Sequence, residues 1–177
     1  MQDKKLFSLH LFGAFFVIIL GTLMHFAYQW SGNNVFMGLI SPVNESVWEH
    51  LKLAFFPIIF YGIYEAVFLK NWHDVLFAKA TEVYLAMSFI ISGFYIYTAF
   101  TGQSILAVDI SLFCFAIIMG KWGSYIVLSK GEAQDQPAFV AIFFLLVAMV
   151  GFFVFTFNAP QIPLFLDTEK GIYGIIK

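Results

Sequence analysis

The sequence predicts an all-α polytopic membrane protein with five transmembrane helices. Two observations carry that prediction. Of 177 residues, 61% are hydrophobic and only 11% charged, with a mean hydropathy of +0.86, which is lipid-solvated rather than soluble composition. The apolar residues also gather into five runs of about 20, the length that crosses a bilayer as helix. These runs cover about 6–28, 51–69, 76–99, 105–128 and 138–157, within one domain spanning 1–177. A net charge of -2 offers no basic surface for nucleic acid. All nine basic residues are lysine, so the chain lacks the bidentate guanidinium that clamps phosphate, which disfavours a phosphorylated substrate. Its single cysteine, Cys114, sits in an apolar run and reads as a packed thiol.

Lysine placement orients the spans. Lys4 and Lys5 precede the first, Lys70 and Lys79 flank the connection between the second and third, and Lys130 lies between the fourth and fifth. These segments are expected inside, giving an N-terminus inside and a C-terminus outside. Lys170 and Lys177 in the tail point the other way. The first span is too long for a signal peptide h-region, and a polar turn follows it. Helical spacing puts His10, Ala14, Gly21, His25 and Tyr28 on one inward face. Small residues there admit a neighbouring helix.

The second span is expected to start at Ser41-Pro42, a serine cap followed by a proline at the first helical position. Asn44 and Glu45 then fall in the first turns, where the helix dipole favours an acid. On that helix Glu45, Glu49 and Lys52 form one stripe, and Ser46, His50, Tyr61, Tyr64 and Glu65 a second. Polar groups on two faces place this span at the bundle centre, with Pro57 interrupting its middle. The third span carries a seam of Thr81, Tyr84, Ser88, Ser92 and Tyr95, with Glu82 off it. Asp109, Ala116, Gly120 and Gly123 share a face of the fourth, from which Lys121 points away. The fifth is nearly pure oil and reads as an outer wall, and 158–177 as an ordered cap over the outer mouth.

Depth sorts the ionisable residues into two layers. An inner layer of Glu65, Glu82 and Lys121 reads as an ion pair or triad, because Lys121 cannot snorkel easily from a helix running inward. It is also a candidate proton relay, since charges inside membranes are costly and tend to be functional. The outer layer holds His25, Asn44, Glu45, Glu49, His50, Lys52 and Asp109. There Lys52 is expected to snorkel or to pair with Asp109. Asn44, Glu45, Glu49, His50 and Asp109 are the candidate ligand-binding residues, and His25, Glu49 and His50 the candidate ligands of a divalent metal ion.

His25-x2-Tyr28-x-Trp30-Ser31-Gly32, the run from Ser41 to Lys52, and the tail Pro163-Leu164-Phe165-x-Asp167-x3-Gly171-x-Tyr173-Gly174 resemble a family of small bacterial integral membrane proteins catalogued as a domain of unknown function. The resemblance implies a multi-pass protein of the bacterial plasma membrane and carries no catalytic assignment. The residues themselves favour binding of a cation or small polar ligand near the outer leaflet. Alternatives are a metal-dependent membrane hydrolase, a proton-coupled small-solute transporter running through the Pro57 region, a bis-histidine haem site between His25 and His50, and a scaffold whose polar strip only caps helices.

Overall fold

The computed structural model of the chain describes residues 2–131 and 136–175. Five long helices dominate: α1 (Gln2–Trp30), α4 (Lys52–Leu69), α5 (Trp72–Thr101), α6 (Leu106–Lys130) and α7 (Ala138–Phe157). Two short helices, α2 (Val35–Ile40) and α3 (Val47–His50), lie between α1 and α4. A 3-10 turn (Pro163–Phe165) and an antiparallel hairpin of β1 (Leu166–Asp167) and β2 (Ile172–Tyr173) follow α7. Five segments are long and apolar enough to cross a membrane, the second being α3 and α4 together from Val47 to Leu69. The five expected apolar runs coincide with these helical segments to within a few residues. The tail differs from an all-helical expectation by its small hairpin, and Ile176 and Lys177, assigned to the cap, lie outside the described residues.

Helix α1 packs on α4 and α6, α4 on α5, and α5 most extensively on α6, which closes a four-helix ring. Helix α7 leans on α5 from outside and is the least buried span, whereas the α3–α4 segment is the most buried. Large side chains such as Phe12, Phe15, Ile19, Phe143 and Val147 project outward, as lipid-facing residues do, while Val17, Phe55, Ile58, Val83 and Ile117 fill the core.

Pro57 sits inside α4 without ending it. A proline there has no N–H to offer the carbonyl four residues back, that of Leu53. Gly21 of α1 lies against this freed carbonyl, so that a Cβ added at Gly21 would come within 2.6 Å of the Leu53 oxygen. The inward stripe of small residues on α1 thus has a specific use: the proline leaves a carbonyl and the glycine lets a neighbouring backbone cover it.

The start of the second span needs correction. Ser41 closes α2, its backbone N–H and hydroxyl both donating to the Met37 carbonyl. Pro42 follows, and the chain turns through Asn44 and Glu45 before Ser46 caps α3. The cap falls at Ser46 because its oxygen accepts from the Glu49 N–H at 3.3 Å, while Asn44 Oδ1 accepts from the Ser46 N–H at 2.9 Å and holds the turn open ahead of it. Glu45 is therefore not helical, and the stripe joining it to Glu49 does not exist.

Replacing Gly21 by leucine is expected to force α1 away from α4 and lower stability by about 1–3 kcal/mol, as overpacking does. Thermal unfolding in detergent, compared with Gly151→Ala, where a Cβ would meet Trp48 at an ordinary 3.5 Å, would show a clear drop specific to Gly21; equal effects would refute the packing role.

Candidate metal centre

At the end of the bundle where α1, α5 and α7 finish, the turn between α2 and α3 is held by two sets of polar contacts. The first is buried. Glu49 Oε2 accepts from Lys52 Nζ at 2.6 Å and from the Val43 N–H at 3.1 Å. Lys52 Nζ also donates to the Gly38 carbonyl at 2.7 Å and the Thr156 hydroxyl at 2.6 Å. Thr156 lies 3.2 Å from Glu49 Oε1 and 2.8 Å from its own helix carbonyl at Phe152, sharing its proton between them. Glu49, Lys52 and Thr156 are at most 1% exposed. One ion pair thereby joins α2, the turn, α3–α4 and α7.

The second set runs to the tail. Asp167, fully buried, accepts from the Glu45 N–H at 3.1 Å with one oxygen, and from the N–H groups of Glu169 and Lys170, each at 3.0 Å, with the other. Asn44 Nδ2 donates to the Gly174 carbonyl at 2.9 Å, and the Ile175 N–H to that of Thr156 at 2.8 Å. Gly174 has φ +63°, and a Cβ there would stand 2.7 Å from the Thr156 oxygen, so glycine serves both the conformation and the approach. Trp48 packs against Phe152, Phe155 and Phe165, sealing α3 to α7 and the tail.

The same turn pushes Glu45 toward two histidines. His25, Glu45 and His50 bring ligand atoms within 4.8 Å of one another. Glu45 Oε2 is 3.3 Å from His50 Nε2, and the two imidazoles lie 5.1 Å apart at 38°. His50 Nδ1 donates to the Ser46 carbonyl at 2.9 Å. A carbonyl only accepts, so in the neutral ring Nε2 keeps its lone pair on the Glu45 side, the arrangement found behind metal-bound imidazoles. His25 Nδ1 is buried without a hydrogen-bond partner among the described residues. Once Nε2 is protonated the imidazolium donates to Glu45, and that hydrogen bond holds the Glu45 carboxyl below its usual range, despite partial burial. Half-exposed Glu45 and His50 keep the trio open to the surface.

Of the expected site residues, His25, Glu45 and His50 come together. Glu49 does not join them: its oxygens belong to Lys52, Val43 and Thr156, so the carboxylate beside the histidines is Glu45. Lys52 neither snorkels nor reaches Asp109, which is hydrogen-bonded to Tyr97. Asn44 faces the tail through its amide. At the other end Glu65, Glu82 and Lys121 meet, with Lys121 Nζ 2.9 Å from Glu82 Oε1 and 4.0 Å from Glu65 Oε2. Lys79, assigned from sequence to a cytoplasmic flank, is buried there as the fourth member and pairs with both glutamates. It was missed because hydropathy places a lysine seven residues into α5 at the membrane boundary; Gly62, whose missing Cβ leaves 2.7 Å to Lys79 Cγ, was the available sign. Asp167 and Thr156 carried no signal beyond their types.

A family match extends over residues 2–175. The chain belongs to DUF6512, a family of unknown function. No curated protein and no solved structure matches this DUF6512 chain. The motif and tail that carried the resemblance are the two halves of one contact, Asn44 and Glu45 against Asp167 and Gly174.

Breaking the buried pair from one side should be costly. Glu49→Gln and Lys52→Met are each expected to lose about 3–5 kcal/mol by stranding the partner charge, with the double variant losing clearly less than their sum; additive losses in thermal unfolding would refute the pairing. For Glu45 the sign follows from a depressed carboxyl: its contribution is present above the unfolded value of about 4.3 and is lost as pH falls through the lower folded value. The stability gap between the native chain and Glu45→Gln is therefore expected to shrink below about pH 4; a gap that widens with acid would contradict the hydrogen bond.

Proposed function

We propose that this protein is a multi-pass membrane protein that binds a divalent metal ion of the zinc class through His25, Glu45 and His50. The observation that carries the reading is the convergence of two imidazoles and a carboxylate from α1, the turn and α3, with the His50 tautomer set by the Ser46 carbonyl. Ligands at about 2.0–2.2 Å around a tetrahedral ion stand about 3.4 Å apart. Glu45 and His50 already have that separation at 3.3 Å, and His25, within 4.8 Å of both, has at most about 1.4 Å to close. Three protein ligands leave a fourth position for water or a small polar ligand, so the site suits sensing or capture of an ion arriving from the aqueous side.

Isothermal titration of purified protein with Zn2+ is expected to show one site per chain, lost in His50→Ala and His25→Ala and weakened about 10–100-fold in Glu45→Gln. Lys52→Met with Glu49→Gln serves as the comparison, altering stability with the trio kept. Absence of Zn2+ binding, or binding indifferent to His25 and His50, would end the proposal.

The site is assigned to the extracytoplasmic face. Lys4, Lys5, Lys70 and Lys130 gather at the opposite end of the bundle, as the positive-inside rule expects of a cytoplasmic side. A cysteine placed at Gln103 in a Cys114→Ala chain is expected to react with a membrane-impermeant thiol reagent on intact cells, and one at Lys70 to be protected; the reverse pattern would invert the assignment.

A further inference from the structure

The buried charges far from the metal centre have an uneven distribution of partners. Glu65, Lys79, Glu82 and Lys121 sum to zero charge, and each is at most 4% exposed. Lys79 engages Glu65 through Oε2 and Glu82 through Oε2, and Lys121 stands over the Tyr61 ring at 4.3 Å. Tyr61 spends its proton on the Leu9 carbonyl at 2.6 Å. Glu65 Oε1 is left without a donor. The group that faces it is His10 of α1, whose Nδ1 is 3.8 Å away.

His10 is built to hold either of two charge states. Its Nδ1 donates to the Leu6 carbonyl at 3.0 Å, which fixes the neutral tautomer with a lone pair on Nε2. Nε2 is 3.2 Å from the Ser124 hydroxyl of α6. A hydroxyl donates to a neutral imidazole and, by rotating, accepts from an imidazolium. Both states are thus hydrogen-bonded without backbone movement, and the charged one gives the bare Glu65 oxygen an opposite charge. Lys79 and Lys121 oppose that added charge; Glu65 and Glu82 favour it. The edge of Tyr125 closes over the imidazole at a centroid distance of 5.6 Å, and Tyr125 with Lys4, Phe7 and Ser8 lines a surface cleft of about 440 Å³. The cleft therefore comes to within one side chain of a residue that is itself only 5% exposed.

We propose that His10, backed by Glu65, is a proton-binding site at the N-terminal end of the bundle, loaded from the cleft lined by Lys4, Phe7, Ser8 and Tyr125. The proton adds to Nε2, Ser124 turns from donor to acceptor, and the cluster passes from zero to one positive charge. The extra charge draws Glu65 toward α1 and away from Lys79, so proton occupancy sets how tightly α4 is tied to α5.

The test is nitrogen-15 NMR of histidine-labelled protein and carbon-13 NMR of side-chain carboxyl-labelled glutamate, in detergent between pH 4.5 and 8, with His10→Gln and Glu65→Gln to assign the two signals. Nδ1 is expected to stay protonated throughout while Nε2 gains a proton in one step. The Glu65 side-chain carboxyl resonance of the unmutated protein is expected to move at the same midpoint. In Glu65→Gln the step is expected at a proton concentration at least tenfold higher. An Nε2 still bare at pH 4.5, or a Glu65 resonance flat through the step, would overturn the proposal; both are read on the native chain. A midpoint unchanged in a folded Glu65→Gln protein would overturn it as well.

Discussion

A charge buried in an apolar helical bundle must find its counter-charge inside the protein, because no water is there to replace it. That constraint organises this molecule from both ends. At one end Glu49 and Lys52 are closed off with Thr156 and the Gly38 carbonyl; at the other, two glutamates and two lysines neutralise one another between α4, α5 and α6. Each cluster takes members from several elements, so satisfying the charges also fixes which helices meet. The apolar core between them supplies cohesion with little orientation of its own, since phenylalanine side chains facing lipid and those facing a neighbouring helix differ little in environment.

The five long helices were legible because the requirement that produces them is local: about 20 apolar residues in a row leave few other options. Element boundaries near polar residues were less so. Ser41-Pro42 has the composition of a helix start, yet the cap formed at Ser46, where Asn44 could hold the preceding turn and Asp167 could receive the Glu45 N–H. That second partner lies over a hundred residues away, and no local pattern announces it. The same distance explains why the sequence alone points to Glu49 as the carboxylate beside the histidines. Helical periodicity extended through residue 45 placed Glu45 and Glu49 on one side, whereas the real turn sends one to His50 and the other to Lys52.

Polar side chains at one depth therefore separate into two kinds by the company they keep. Glu49, with its oxygens shared among a lysine, a threonine and a backbone amide, has its hydrogen-bonding capacity used and acts as a strut. Glu45 and the histidines retain unshared lone pairs at a half-open surface. Charge and depth alone would have grouped them; hydrogen-bond saturation divides them.

The clasp of Asp167 and Gly174 on the Asn44–Glu45 turn also has a temporal side. The chain leaves the ribosome N-terminus first, so the turn is made long before the carboxylate that receives its N–H. Between those moments α5, α6 and α7 must be made, and Thr156, which bridges the buried pair, arrives only with the last of them. The geometry around Glu45 is consequently one of the final things to form in biogenesis. A metal ion bound at the proposed site would accordingly be held only by chains whose α7 and tail are in place.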